Sequence, residues 1–338
     1  MFSSGEIRVN YQVMEKVFND ILLRHSFNED KATMCARIFA DNSLDGVYTH
    51  GVNRFARFIQ MVVEKRVLPE EAPTKISGFG GMEQWDGNLG PGPSNAIFCT
   101  ERVMQLADEN GVGCAALANT NHWMRGGTYG WKAAKQGYAF ICWTNTIANM
   151  PAWGAKESRL GNNPLILAVP QNDEAIVLDM AISQFSYGGM EKFAMQQKVL
   201  PVPGGYDEAG QMTTDPKKIL ETQRSLPIGY WKGSGLSLLL DLLATILSGG
   251  KSTFQITAQK SESSVSQVFI AVKLSSLHNS FAINNIINNI IADFHNAAPG
   301  GTSDKIRYPG ERVLLTRKEN TENGIPLNSK VWNEILAL

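Results

Sequence analysis

The sequence predicts an α/β protein, helical at its two ends and rich in strands between them. Three observations carry that reading. Helical periodicity runs up to Lys65, buried strand runs alternate with glycine-stopped helices from Lys75 onward, and a late helix carries regularly spaced isoleucines. At 338 residues the chain exceeds a typical single domain, and 43% hydrophobic against 19% charged residues gives ample core for two packed lobes.

Asn10 caps a first helix with Val13, Val17, Ile21 and Leu22 on one face. Asn28, Glu29 and Asp30 supply the cap and first-turn acids of a second, which carries Met34, Ile38 and Phe39. A third runs from about Gly51 to Lys65 with Phe55, Phe58, Ile59 and Val62 on one side, and Pro69 and Pro73 punctuate the linker after it. Residues 1–74 thus form an N-terminal helical segment, followed by a mixed α/β region over 75–255. There Ser94 caps a helix ending at Asn110, with Gly111 as its left-handed stop. Residues 114–118, 138–143, 165–169 and 175–180 read as buried strands, and a helix over 129–136 is closed by Gly137. A long apolar helix covers 236–247. Residues 256–338 form a C-terminal segment that packs back on the first two, with a strand over 268–274. A helix through Ile283, Ile286, Ile287, Ile290, Ile291 and Phe294 follows, then a short amphipathic helix behind the cap Asn328-Ser329.

Composition excludes several partners. The net charge is -1, with 31 basic against 32 acidic residues and no basic run, so no nucleic-acid footprint is expected. The first ten residues lack a basic stretch followed by an apolar core, and the apolar run 236–247 is interrupted by Ser237 and Asp241 and too short for a bilayer. A soluble, cytoplasmic protein without membrane contact is expected. Cys35, Cys99, Cys114 and Cys142 show no Cys-x-x-Cys pairing, and none of the five histidines has metal-helix spacing, so no metal is expected.

Two phosphate-loop look-alikes fail on context. Gly111-Val-Gly113 with Ala116 spells a dinucleotide fingerprint, but it follows a helix and opens a strand, the reverse of what the motif needs. Gly249-Gly-Lys251-Ser252 resembles the end of a P-loop, yet Thr245 takes the place of the first glycine and a helix precedes it. Any dinucleotide site here is not of the Rossmann kind.

Five segments carry chemistry. His50 opens the third helix and Arg54 follows at i+4, so both side chains share one face. A guanidinium fork and a proton-transferring imidazole suit a keto acid, whose carboxylate needs an anchor and whose carbonyl oxygen needs a proton. Arg57 is an alternative anchor, and a helix-entry histidine beside a solvated arginine is the commoner use of such a pair. Asn119-Thr-Asn121-His122-Trp-Met-Arg125-Gly-Gly127 follows a strand, where α/β folds keep ligand sites, though a core histidine beside Trp123 explains it equally well. Thr146, Pro151 and 160–164 lie in turns that need no function. Asp179, at a strand end, can accept ribose hydroxyls. The run 229–235 opens a long helix whose N–H groups, with Lys232, can hold an anion.

Together these segments resemble the malate/L-lactate dehydrogenase type-2 family, a non-Rossmann group of nicotinamide-dependent oxidoreductases. Tyr48-Thr-His50-Gly51 with Arg54 looks like its signature; Asn162-Asn-Pro164, Leu178-Asp179-Met180 and Lys232-Gly-Ser-Gly235 follow in the expected order, and the likeness covers nearly the whole chain. It implies a mixed β-sheet cofactor domain of non-Rossmann type, packed with a largely helical lobe built from N- and C-terminal segments. It also implies a homodimer with the active site near the subunit interface. The implied cofactor is NADH, with NADP(H) left open, and the substrate a small 2-keto acid. His50 matches the family's proton donor. Arg54 and His122 are further catalytic candidates, and Asn121, Arg125 and Thr146 candidate substrate contacts. Cofactor contacts are implied on Ala175, Ile176, Val177, Leu178, Asp179, Met180 and Ala181, on Trp231 and Lys232, and on Gly310, Glu311 and Arg312. Where other members place Gly-Thr-Asn-Pro, this chain has Gly161-Asn-Asn-Pro164. The alternatives are a sister activity on malate, lactate, sulfolactate or ureidoglycolate and, from another class, a non-catalytic ligand-binding paralogue.

Overall fold

Asn10 and Asn28 each begin a helix as their side chains dictate, Asn10 Oδ1 accepting from Gln12 N and Asn28 Oδ1 from Lys31 N, both at 2.9 Å. The computed structural model describes residues 5–300 and 305–338, so the expectation about a leader rests in part on residues outside the described ones. A short strand β1 (Glu6–Val9) precedes helices α1 (Tyr11–Arg24), α2 (Glu29–Leu44) and α3 (Val52–Val63). The buried face of α1 is Met14, Phe18, Ile21 and Leu22, while Val13 is 52% exposed, so the face is turned from the one predicted. Ring packing decides this: Phe18 stacks on Phe55 of α3 at 4.1 Å between centroids and meets Phe39 of α2 edge-on.

The strand-rich region starts with β2 (Thr74–Phe79) and β3 (Met82–Asp86), then α4 (Gly92–Asn110), β4 (Val112–Thr120), α5 (Gly127–Ala134) and β5 (Tyr138–Thr144). The start of α4 corrects the predicted cap. Pro91 and Pro93 fix the entry, and Ser94 lies inside the first turn with Oγ donating to Pro91 O at 3.0 Å. Gly111 ends α4 with φ +79°, a conformation L side chains adopt only with strain, which is why the apparent fingerprint is a helix stop. A hairpin of β6 (Met150–Pro151) and β7 (Ser158–Leu160) leads to β8 (Leu165–Gln171) and β9 (Glu174–Met180). After α6 (Tyr187–Met195), the pair β10 (Gly205–Tyr206) and β11 (Met212–Thr213) and α7 (Pro216–Thr222), the chain enters α8 (Trp231–Ser248) and α9 (Thr253–Ala258). Last come β12 (Val265–Lys273), α10 (Ile283–His295), α11 (Glu311–Asn323), β13 (Ile325–Asn328) and α12 (Ser329–Leu336).

Seven strands form one sheet in the order β2-β3-β4-β12-β5-β8-β9. Only β3 and β4 pair in parallel; the remaining neighbours are antiparallel, so the sheet is mixed and the topology is not a Rossmann one. Strand β12 lies at its centre, with Phe269 opposite Ala115 on β4 and Cys142 on β5. Its first five residues are all buried, as a central strand covered on both faces requires. The chain ends meet where β1 pairs antiparallel with β13, and Trp332 of α12 reaches the Phe18 ring.

Two apolar helices keep much of their surface open. On α8, Leu238, Leu239, Leu242, Leu243 and Ile246 are exposed, while Ser237, Leu240 and Ala244 face the sheet. On α10, Ile286, Ile290 and Phe294 are exposed despite their helical spacing. Among the described residues no helix is long and apolar enough to cross a membrane, and no cluster of metal-binding side chains occurs.

Candidate active site

The turn before α3 places His50. Residues Tyr48–His50 make one 3₁₀ turn, and Asn42 Nδ2 donates to His50 O at 2.9 Å. Gly51 follows because there is no room for a side chain: a Cβ there would lie 2.3 Å from Ser43 Oγ, 2.8 Å from Ser43 N and 3.0 Å from Phe39 O. Ser43 Oγ accepts from Val52 N at 2.8 Å, so α2 carries the first turn of α3. That contact holds His50 on rigid elements.

His122 arrives from the loop after β4. The two imidazoles stack with centroids 5.5 Å apart and planes 20° from parallel. His122 Nδ1 accepts from Met124 N at 2.9 Å, which puts the neutral ring's proton on Nε2. His50 Nδ1 lies 3.1 Å from Thr49 Oγ1. Both rings are half-buried. Burial, chiefly, moves His50 from an ordinary 6.5 down to about 4; Arg54 and Arg125 push the same way, and Asp179 alone opposes them. His122 falls well below its ordinary value from burial and the charges of Arg54, His50 and Arg57. At neutral pH both rings are therefore neutral.

Arg54 joins this pair from the first turn of α3. His50 itself lies in the 3₁₀ turn before the helix, across the non-helical Gly51. The expected i+4 relation on one helix face is therefore not what brings them together, although the Arg54 charge is felt at both imidazoles. Its guanidinium makes no hydrogen bond among the described residues and has Glu262 Oε2 3.9 Å from Nη2. Its side chain is only 23% exposed, an unusual position for five uncommitted donors. Arg57 is exposed. Asp179 reaches the same place from β9: Oδ2 accepts from Gly127 N at 2.8 Å at the start of α5 and lies 3.9 Å from Arg125 Nε. Its charge is felt at the His50 imidazole, where it opposes the fall caused by burial.

The other expected contacts each have partners within the protein. Arg125 is buried, with Nη1 donating to Asp45 Oδ2 at 2.5 Å, and Arg317 of α11 grips the same carboxylate at 2.6 and 3.0 Å. Asn121 Nδ2 donates to Leu89 O and Gly90 O, fastening the turn before α4. Thr146 sits in a buried network instead, its hydroxyl donating to Asn162 Oδ1 at 3.0 Å while Asn163 bonds to Ser237 of α8. Asp45, Arg317 and Glu262 were missed by sequence reasoning. An arginine 272 positions from Asp45 and a glutamate in a serine-rich turn carry no spacing signal.

The stretches implied for cofactor contact converge on the edge strand β9. Val177 N donates to Pro309 O at 3.2 Å, which sets Gly310, Glu311 and Arg312 beside the strand. Glu311 itself is engaged, accepting from Tyr308 N at 3.1 Å with His295 Nε2 at 3.3 Å. Beyond the strand, Ile228 N bonds to Ile182 O and Gln184 N to Leu226 O, so Trp231 and Lys232 start α8 near the end of β9. Ala175 and Val177 are buried on the α5 side, and Ile176, Leu178 and Met180 on the other face are half-buried. Exposed Lys232 and Arg312, two helix N-termini and the exposed Trp231 indole are a donor set that fits an anionic dinucleotide. A cavity of ≈ 940 Å³ between α2, α4, α5 and α11 is lined by Asp41, Trp131 and Arg317 and does not include His50.

A mixed sheet with this topology, a histidine pair with Arg54 on its helical flank and a cationic edge at β9 fit an oxidoreductase of hydroxy acids outside the Rossmann class. The chain belongs to the malate/L-lactate dehydrogenase family, whose model matches residues 9–336. It is 43% identical over 333 residues to 2,3-diketo-L-gulonate reductases of Pasteurella multocida and of Klebsiella pneumoniae, covering 98% of this chain and all of each relative. Among solved structures, sulfolactate dehydrogenase from Methanocaldococcus jannaschii superposes with a TM-score of 0.90 at 26% identity, covering 98% of each chain. Malate dehydrogenase from Entamoeba histolytica has the same fold, with a TM-score of 0.92 at 23% identity over 98% of this chain and 96% of that one. The family uses a nicotinamide cofactor.

Proposed function

We propose that the protein reduces 2,3-diketo-L-gulonate to 3-keto-L-gulonate with NADH. The observation that carries this reading is Arg54: a mostly buried guanidinium without a hydrogen bond among the described residues, on the first turn of α3 just after His50, is built to receive a substrate carboxylate. The full-length likeness to reductases named for this substrate supports the choice among keto acids. When bound, the nicotinamide supplies a hydride to the C2 carbonyl carbon.

The chain's own residues do the rest. Arg54 orients the carboxylate, and His122 presents Nε2–H to the substrate's oxygens. His50 gives its proton to the alkoxide oxygen. In the free chain His50 is neutral, so the proton must be loaded when the substrate anion arrives beside Arg54 and offsets its charge. Asp179 then faces an imidazolium, with Gly127 N and Arg125 holding its carboxylate in place. Asn121 and Arg125 act by fastening loops around this centre. Residues 175–181, Trp231, Lys232 and 310–312 hold the cofactor.

The exposed leucine face of α8 supports a homodimer, and four unpaired cysteines support a cytoplasmic location. Loss of NADH absorbance with 2,3-diketo-L-gulonate, set against oxaloacetate, pyruvate, sulfopyruvate and NADPH, tests the proposal. Preference for any of the other keto acids by kcat/KM would replace it with a sister activity.

A further inference from the structure

Arg54 faces a negative charge that belongs to the protein. Glu262 sits on the turn between α9 and β12, with Oε2 3.9 Å from Arg54 Nη2 and a side chain only 20% exposed. The separation is too long for a hydrogen bond, and among the described residues no hydrogen bond reaches the Glu262 carboxylate. The turn is fixed on both sides. Arg66 Nη1 donates to Ser261 Oγ at 3.0 Å, and Ser264 takes φ +59° before Val265 pairs with Thr120, two residues ahead of His122. The strand register that sets His122 therefore also sets Glu262. Burial pushes the Glu262 carboxyl up and the Arg54 guanidinium down, while Arg54 and Arg57 draw the carboxyl back. Each partner keeps the other ionised.

We infer that Glu262 is a positioning and selectivity residue: it holds Arg54 toward the His50–His122 pair and repels a second carboxylate on the substrate. This rests on the reading that Arg54 receives the first carboxylate. A monoanionic sugar acid binds Arg54 and offers hydroxyl groups to a carboxylate whose lone pairs are uncommitted. A dicarboxylate such as oxaloacetate brings its second charge into the field of Glu262, and like charges close together discriminate strongly.

The test compares kcat/KM for oxaloacetate with that for 2,3-diketo-L-gulonate and for pyruvate, in wild type, Glu262→Gln and Glu262→Asp. The Gln variant is expected to raise the dianion-to-monoanion ratio by about tenfold or more, and the Asp variant to bring it back toward wild type. A ratio unchanged in a folded Gln variant overturns the inference. In wild type, glycolate is expected to inhibit more tightly than tartronate, its dicarboxylate analogue, and the reverse order overturns it without any variant. Arg54→Met separates the two readings. If it leaves every KM unaltered, the anchor role fails and this inference with it; if KM rises for all acids while the Glu262→Gln ratio stays flat, only the role of Glu262 fails.

Discussion

His50 and His122 stack with ring centroids 5.5 Å apart, two imidazoles that burial and flanking arginines disfavour as cations. In the proposed reaction His50 carries the proton. His50→Asn is expected to lower kcat by about 10²–10⁴-fold, the usual size of a general-acid contribution, while NADH still quenches protein fluorescence. Near wild-type turnover in that variant removes His50 from the chemistry.

The pH dependence follows from the direction of the His50 shift. Reduction needs the imidazolium, so kcat/KM for the keto acid is expected to fall about tenfold per pH unit above the value of about 4. Oxidation of the hydroxy acid needs the neutral ring and is expected to be level above that value and to fall below it. Stability has its own sign. The unfolded histidine takes a proton near 6.5 and the folded one only near 4, so folding weakens as pH drops across that window and is unaffected above it. Urea titrations of wild type and His50→Asn should diverge only on the acid side of 6.5.

Arg54 is expected to act through binding. Arg54→Lys keeps the charge but loses the fork, and KM for the keto acid should rise about tenfold or more with a smaller change in kcat. Equal KM values for the two proteins would mean the carboxylate binds elsewhere.

Gly51→Ala tests how the helix start is built. The added methyl meets backbone atoms of Phe39 and Ser43 as well as Ser43 Oγ, so the α2–α3 contact must open. A loss of about 1–3 kcal/mol in denaturant titration, together with lowered turnover, is expected. Unaltered turnover would show that His50 does not depend on this contact.

Asp45 accepts from two arginines on separate elements, with its side chain 6% exposed. Asp45→Asn leaves buried Arg125 with only the more distant Asp179, 3.9 Å from Nε, as a counter-ion and is expected to cost about 3 kcal/mol. Double replacement with Arg125→Met should recover part of that, a coupling that a double-mutant cycle reads directly.

The elements whose information is local were legible from sequence. Asn10 and Asn28 begin helices through their own side chains, and Gly111 ends one through its backbone freedom. What escaped depends on partners far along the chain. Val13 lost its place because Phe18 found Phe55, Ser94 yielded the cap to prolines, and Arg125 met Asp45 from 80 positions away. Strands β1, β2, β3 and β13 also escaped, since much of their surface is exposed and pairing defines them. Glu262 belongs to the same class: its meaning arises only when β12 is laid against β4.

That central strand has a consequence for how the protein is made. A ribosome that has released the chain as far as Ser248 has synthesised β4 and β5, but the strand that joins them is still inside it. Until then the sheet is two fragments, β2-β3-β4 and β5-β8-β9, each with a bare interior edge open to strangers. His122 follows β4 on one fragment and Asp179 lies on β9 of the other, so the candidate site is unassembled while those edges stay bare. Activity and protection from aggregation arrive in one late event, and a chaperone has most of the translation time in which to matter.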